Sequence, residues 1–272
     1  VGLRINTNIA SLNTQRSLMR ATSNLGDNMR RLAGGLRVAS AADDAAGLAI
    51  SNKMMAAVRS WGGVERYIQI GIDVTRTALS GLSEQQDAMQ RMRELAVQSM
   101  NGVLSDEDRA VVDMEFQELL NHVQQIALNL EFNGTVLLNG DEPRLRVHVG
   151  IEVTDFVDIE LPTTRTPALG IDTLDISTLA SAGNAIDTLD PVLDTMSSFR
   201  GRLGARQNAL SSALRQARNA REQVSAAASR IRDVDIASET ADMTRNRILQ
   251  EASTAVLAQA NVQPQLALEL LS

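Results

Sequence analysis

The amino-acid sequence predicts a mainly α-helical protein, a long antiparallel helical rod or coiled-coil bundle built from both halves of the chain, with a small β-hairpin element in the middle. Three observations lead to this prediction. All five prolines come after residue 140, so no proline interrupts a helix in the first half. Apolar residues recur at heptad spacing over long stretches. One Trp, one Tyr and four Phe are the only aromatic residues, so aliphatic side chains must fill the core.

Both ends of the chain carry an apolar strip with the spacing of one helix face. Near the N-terminus, leucines recur every seven residues and further apolar residues follow them by four: Leu18, Leu25, Met29, Leu32 and Leu36. The C-terminal strip consists of Ile248, Ala252, Ala255, Val262 and Leu266. We expect the strips to pair with each other or with other copies, so that residues 1–42 and 232–272 form a discontinuous terminal coiled-coil domain.

Residues 43–231 are predicted to form a helical rod domain. Helices are expected at about 43–100 and 105–129, and Ser105, followed by three acidic residues, is a good N-cap for the second of them. From Leu189 to Ile231, alternating steps of four and three residues lead through mostly apolar positions. This periodicity predicts a long coiled-coil helix.

A small β element is expected at about 131–175. Leu145, Val147 and Val149 alternate with polar residues, and a second alternating run covers 156–161. Asn139-Gly140 and Pro162 lie on either side of these runs, as turn residues do around short antiparallel strands.

The residue types required for most catalysis are missing. Cysteine is absent, which removes disulfides, thiolate metal sites and Cys nucleophiles, and there are only two histidines. His148 and Glu152 lie about 13 Å apart on a strand, too far to chelate one ion. Asp43-Asp44 is interpreted as a cap where a helix restarts. We therefore expect no enzyme activity, no cofactor and no metal.

Charge and hydropathy also limit the partners. The net charge of −7 argues against nucleic acid. No stretch reaches 18 apolar residues, so membrane insertion is not expected. The first ten residues lack the basic and then apolar plan of a secretory signal, so we expect export without a cleaved signal peptide.

Six stretches, in order along the chain, resemble segments of bacterial flagellin. They are INTNIASL (5–12), LRVASAADDAAGLAISNKM (36–54), QRMRELAVQS (90–99), EFNGTVLLNG (131–140), FRGRLGARQNAL (199–210) and ASRIRDVDIASETADMTRNRILQEASTAVLAQANVQPQ (228–265). The resemblance covers nearly the whole chain. It implies a structural subunit that polymerises into the flagellar filament, in a short form without the large variable outer domains.

The resemblance also implies partners and a location. The partners are other copies of the chain, an export chaperone, the filament cap and hook-junction proteins, and the location is the extracellular bacterial flagellum. One patch matches positions that contact neighbouring subunits in flagellins: Gln90, Arg91, Glu94, Leu95, Gln98 and Glu115. The resemblance implies Toll-like receptor 5 as a second partner for the same patch.

Two alternatives stay open from the sequence. A flagellin-like hook–filament junction protein shares the terminal helices, although LAVQS (95–99) and AQANVQPQ (258–265) favour flagellin. A soluble coiled-coil adaptor that does not polymerise would explain the apolar strips. It would not explain six motifs in the same order.

Overall fold

The computed structural model describes the backbone of residues 7–269 and the side chains of residues 7–262. Six helices and four short strands follow one another along this part of the chain. They are α1 (Ile9–Gly34), α2 (Ala45–Ser99), α3 (Asp106–Asn129), β1 (Glu131–Phe132), β2 (Thr135–Val136), β3 (Arg144–His148), β4 (Phe156–Glu160), α4 (Thr166–Leu169), α5 (Leu179–Arg232) and α6 (Ile236–Glu269). The predicted fold class, long helices with a small β element, is confirmed.

The helix predicted to begin at Ser105 is α3, and its N-terminus carries a capping box. The Asp108 backbone N–H donates to Ser105 Oγ at 3.2 Å, while the Asp108 carboxylate accepts from the Ser105 N–H at 3.1 Å. The Ser105 hydroxyl also donates to this carboxylate. These bonds from Ser105 lower the pKa of the Asp108 carboxyl, because they stabilise its ionised form.

Of the two acids before α2, Asp44 is the predicted cap of the helix, while Asp43 binds the backbone of the turn that precedes it. Asp44 accepts a hydrogen bond from the Gly47 N–H at 2.8 Å, and Asp43 accepts from the Ser40 N–H at 2.9 Å. The hydrogen bonds from Ser40 lower the pKa of the Asp43 carboxyl. Both carboxylates therefore serve the local backbone.

The heptad spacing after Leu189 is confirmed in α5. The buried members of this strip are Leu189, Met196, Leu203, Leu210, Leu214, Ala217 and Ala228. Arg221 interrupts the strip, and its guanidinium lies 3.2 Å from Glu65. The helix begins at Leu179, earlier than the periodicity indicated, and continues through Pro191, which is exposed.

The chain divides into two compact units. One contains the residues up to Val58 together with those from Gln223 onward, and the other is Arg59–Glu222. Both limits fall inside helices, in α2 and α5, and lie further from the chain ends than the predicted boundaries at 42/43 and 231/232.

In the first unit, α1 packs against α6 and the segments next to them form a short β-bridge. Leu36 pairs with Asp233, and the Arg37 N–H donates to the Arg232 carbonyl at 2.7 Å. The Val234 N–H donates to the Gly35 carbonyl at 3.1 Å. These bonds hold the end of α1 beside the start of α6.

The core of the second unit is almost entirely aliphatic. Its fully buried side chains include Ile68, Leu82, Met89, Met92, Leu95 and Phe116. They come from α2 and α3 and pack with the apolar strip of α5. Phe116 is the one aromatic residue among these buried side chains.

Two antiparallel hairpins follow α3. The β1–β2 turn contains Asn133 at φ 50° and Gly134 at φ 80°, and positive φ at both positions is typical of a type I′ turn. In the β3–β4 hairpin, Leu145 pairs with Ile159, and Ile159 is fully buried. The strands predicted from alternation are therefore confirmed.

We expect Ser105→Ala to lower the free energy of unfolding by about 1 kcal/mol, because it removes the side chain that caps α3. Urea unfolding followed by circular dichroism measures the change. Ser225→Ala is the matched control, since Ser225 lies exposed in the interior of α5. Equal unfolding midpoints for the two variants would contradict the capping role.

Candidate interaction surfaces

The contact between α1 and α6 is antiparallel and is made by positions in a heptad pattern. On α1, the buried and half-buried positions include Ser11, Thr14, Leu18, Ala21, Leu25, Asn28 and Leu32. On α6, they include Glu239, Met243, Asn246, Gln250, Ser253, Leu257 and Ala260. The predicted leucines Leu18, Leu25 and Leu32 thus lie on the face toward α6.

Other members of the predicted strips lie elsewhere. Met29 is 55 % exposed, and Leu36 lies beyond the end of α1, in the β-bridge. The described members of the C-terminal strip all point away from α1: Ile248, Ala252, Ala255 and Val262. The side chain of Leu266 lies outside the described residues. The prediction that this strip pairs with α1 is therefore wrong, and its pairing with other copies stays a prediction.

Hydrogen bonds explain why polar positions of α6 face α1. The Asn28 amide donates to Glu239 Oε1, and Asn246 donates to Asn28 Oδ1 at 2.8 Å. Arg31 lies 3.7 Å from the same carboxylate of Glu239. Asn28 and Glu239 are both buried, so each needs these partners.

Further polar contacts lie at intervals along the same interface. The Gln250 amide donates to Thr22 Oγ1 at 3.1 Å. Nearer the start of α1, the Asn8 amide donates to the Ala260 carbonyl at 2.7 Å, and the Ser11 hydroxyl donates to Asn261 Oδ1 at 2.9 Å. Polar pairs at fixed positions specify the register of a coiled coil.

The predicted subunit-contact patch spans α2 and α3 in the second unit. Arg91 donates through Nε and NH2 to Glu115 Oε1, at 3.0 and 2.9 Å, and through NH1 to Glu94 Oε2 at 3.1 Å. The hydrogen bonds with Glu115, and then those with Glu94, raise the pKa of Arg91. The structure therefore joins three of the six predicted residues in one ion-pair cluster.

Leu95 is the exception within this patch. Gln90, Gln98 and the three charged residues are exposed, whereas Leu95 is 2 % exposed and belongs to the core. Its place on the predicted surface is wrong for this chain, because its position on α2 faces α3 and α5. The patch that the structure offers is polar and charged.

The two histidines lie in ordinary surface environments. His122 lies 3.7 Å from Glu84, with both side chains at least half exposed, and His148 is exposed on β3. Among the described residues, no group of three His, Asp or Glu side chains is arranged to hold a metal ion. Within the same residues, no helix is long and apolar enough to cross a membrane.

Besides the outward strip of α6, the structure has a second set of exposed apolar side chains, which the sequence analysis did not predict. It lies in the second unit and includes Tyr67, Ile70, Val103, Ile151 and Val153. Val153 and Val103 stand among polar residues in loops, which is a weak signal. Tyr67 and Ile70 lie in a continuous helix whose buried face cannot be distinguished by periodicity alone.

A paired first and last helix, exposed apolar side chains and a second unit built on long helices are typical of a protein that associates with other protein chains. The family description "Bacterial flagellin N-terminal helical region" matches residues 5–142, and "Bacterial flagellin C-terminal helical region" matches residues 186–271. The chain therefore belongs to the bacterial flagellin family. It is a structural subunit of the flagellar filament.

Two individual relatives support this family assignment. The chain is 40 % identical over 270 residues to the flagellin of Halalkalibacterium halodurans, with 98 % of this chain and 99 % of that protein covered. It is 37 % identical over 283 residues to the flagellar filament 33 kDa core protein of Treponema phagedenis, with 98 % and 99 % covered. Matches over nearly the full length of both proteins confirm the short form without large outer domains.

A solved structure shares the fold. The crystal structure of Bacillus cereus flagellin superposes with a TM-score of 0.51 at 24 % sequence identity. The match covers 56 % of this chain and 88 % of that one. At this identity, the comparison supports the helical architecture alone.

We expect Asn28→Ala to destabilise the pairing of α1 with α6 by about 1–3 kcal/mol, because it leaves a buried carboxylate with fewer hydrogen bonds. Hydrogen exchange of the α1 amides measures the effect. Asn24→Ala removes the same group from an exposed position of the same helix and serves as the control. If both variants change exchange equally, Asn28 has no special role in the pairing.

Proposed function

We propose that this flagellin polymerises through two surfaces, the outward apolar face of the α1–α6 pair and the charged patch on α2 and α3. The main support is the apolar surface that remains after α1 and α6 have paired. On α1, the exposed large apolar residues are Ile9, Leu12, Met19 and Met29; on α6, they are Ile236, Ile248, Leu249, Val256 and Val262. A contiguous apolar surface that is left exposed marks a site for another protein.

The C-terminal strip takes its place in this proposal. Ile248, Ala252, Ala255 and Val262 face away from α1, which is the orientation that contact with other copies requires. Residues 1–42 and 232–272 then act together as the terminal assembly domain, and 43–231 as the domain next to it. Burial of Ile248, 60 % exposed in the single chain, would contribute roughly 1–2 kcal/mol to each contact.

The charged patch would contribute in a different way. Gln90, Gln98 and the cluster of Arg91, Glu94 and Glu115 are exposed and contain both signs of charge. Such a surface sets orientation and partner choice more than affinity. Toll-like receptor 5 is the secondary partner proposed for the same residues.

The path to the filament is also part of the proposal. The chain would be exported through the flagellar machinery, guided by an export chaperone, and added beneath the filament cap beyond the hook-junction proteins. The support is the family membership together with the apolar strip of α6, which needs a cover before assembly.

Seeded polymerisation of the purified chain, viewed by electron microscopy, tests the proposal. We expect long filaments from the full chain and none from a chain lacking residues 235–272. Ile248→Asp and Val256→Asp should each slow elongation strongly, because they place a charge on the outward apolar face. Thr254→Asp adds the same charge at an exposed polar position of α6 that lies off the strip of Ile248, Ala252, Ala255 and Val262, and it should elongate normally.

Circular dichroism distinguishes a loss of elongation from a loss of folding. We expect each variant to keep its helix content, since the substituted side chains do not face α1. A full chain that stays soluble with authentic seeds would contradict the filament role and favour the hook–filament junction protein. Filaments of normal length from Ile248→Asp would contradict the assignment of the α6 face.

The patch on α2 and α3 has its own test. We expect Arg91→Ala to slow elongation and to weaken Toll-like receptor 5 signalling in a reporter-cell assay, because Arg91 organises both Glu94 and Glu115. Arg93→Ala is the control, since Arg93 hydrogen-bonds to Asp190 of α5. Unchanged elongation would remove the contact role, and unchanged signalling would remove the receptor.

A further inference from the structure

Methionine is the only sulfur-containing residue of this chain. The sequence has ten methionines and no cysteine. A mild oxidant such as hydrogen peroxide therefore meets thioethers and no thiol, and methionine sulfoxide is the sulfur product that it forms. Because the sulfur atom must be reached from solvent, the exposure of each methionine decides which of them react first.

The ten methionines differ widely in exposure, and all of them lie among the residues whose side chains the structure describes. Three are fully buried in the core of the second unit: Met89, Met92 and Met196. Four are 43–64 % exposed: Met19, Met29, Met100 and Met114. Met19 and Met29, the exposed pair on α1, are 64 % and 55 % exposed. Oxidation of the folded chain should therefore reach α1 and leave the buried core unchanged.

Met19 and Met29 lie outside the contacts that pair α1 with α6. The pairing uses the half-buried side chains of Leu18 and Leu25 and the hydrogen bonds of Asn28. Water can solvate a sulfoxide on either exposed methionine, so the added oxygen atom leaves no polar group without a partner in the free chain. Oxidation at these two positions should leave the pair of helices folded.

The same two methionines belong to the outward apolar face of the α1–α6 pair. They are two of the four exposed large apolar side chains of α1, the others being Ile9 and Leu12. Contact with another copy along this face would remove both sulfur atoms from water. A sulfoxide oxygen is a polar acceptor, and its burial against apolar side chains without a donor is unfavourable. The free chain therefore tolerates the oxidation and the contact does not.

We propose that Met19 and Met29 form an oxidation-sensitive switch that decides whether a chain is added to a filament. The inference rests on the proposed polymerisation and assigns a regulation to it. In the forward step the thioether sulfur takes an oxygen atom from the peroxide: the O–O bond breaks, the S–O bond forms and water leaves. In the reverse step a methionine sulfoxide reductase returns the thioether; two thiols supply two electrons and become a disulfide, and the oxygen leaves as water.

The switch acts on the subunit before its addition and not afterwards. In the free chain, Met19 and Met29 are open to the oxidant. In the filament, the neighbouring copies that cover the outward face shield both sulfur atoms. An oxidant therefore stops growth and leaves finished filaments intact.

The test treats the purified full chain with dilute hydrogen peroxide, locates the added oxygen atoms by peptide mass spectrometry and then supplies seeds. We expect sulfoxide at Met19 and Met29, unchanged thioethers at Met89, Met92 and Met196, and elongation slowed by about tenfold or more. Methionine sulfoxide reductases with a thiol should restore the rate. An oxidised chain that elongates as fast as the untreated chain would overturn the switch.

Leucine substitutions assign the effect to α1, because leucine has nearly the volume of methionine and contains no sulfur. Met19→Leu with Met29→Leu should elongate normally and keep its rate after peroxide treatment. The matched control, Met100→Leu with Met114→Leu, removes two other exposed thioethers and should stay as sensitive as the unchanged chain. The assignment is wrong if the first pair loses as much activity as the unchanged chain, or if both pairs are protected equally.

Two further measurements separate the switch from unfolding and from the proposed function. Hydrogen exchange of the α1 amides should be unchanged by peroxide, and loss of protection would replace the switch with plain unfolding. Finished filaments in the same peroxide should keep Met19 and Met29 as thioethers, and oxidation as fast as in the free chain would contradict their shielding. If the untreated chain forms no filaments, the proposed function fails and the switch fails with it; equal growth of treated and untreated chains defeats the switch alone.

Discussion

The pairing of α1 with α6 depends on a buried carboxylate. Glu239 faces α1 without being fully solvated, so it must have hydrogen-bond donors there, and Asn28 with Arg31 supplies them. Shifting α6 by one turn would separate Glu239 from both. The polar network therefore selects one register for the two ends of the chain, and the apolar residues of α6 that are not used in the pairing face outward, where other copies can reach them.

The second unit follows a different constraint, the shortage of aromatic side chains. With Phe116 as its large buried ring, the core depends on close packing of aliphatic side chains. Gly71 and Gly81 leave room for such side chains: a Cβ on Gly71 would lie 2.8 Å from Val147 Cγ2, and a Cβ on Gly81 would overlap with Leu130 Cδ2. Glycine in a helix interior costs about 1 kcal/mol relative to alanine. The lost stability is offset where the neighbouring chain segment packs into the space that glycine leaves.

Much of this fold could be predicted from the sequence, and the reasons for the failures are physical. Ser105 and the strip from Leu189 obey local rules of capping and periodicity, so α3 and α5 were predicted correctly. The prediction for the C-terminal strip failed because apolarity does not mark the paired face of α6: Asn246 and Gln250 turn toward α1 through hydrogen bonds to side chains more than 200 residues away. The prediction of Leu95 on the surface failed because a sequence motif shows which residues match a family, and does not show whether their side chains are exposed. The contact of Gly71 on α2 with Val147 on β3 depends on a hairpin approaching a helix, which no local pattern encodes.

Arg109 has a consequence for the energetics of association. Its guanidinium donates to the backbone carbonyls of Ser99, Asn101 and Leu104, so bonds within the chain hold the turn that carries Val103. The conformational entropy of that turn is given up when the chain folds, not when it meets a partner. Dissolved salt can then alter how often two chains encounter each other correctly, while the surface that they present stays the same.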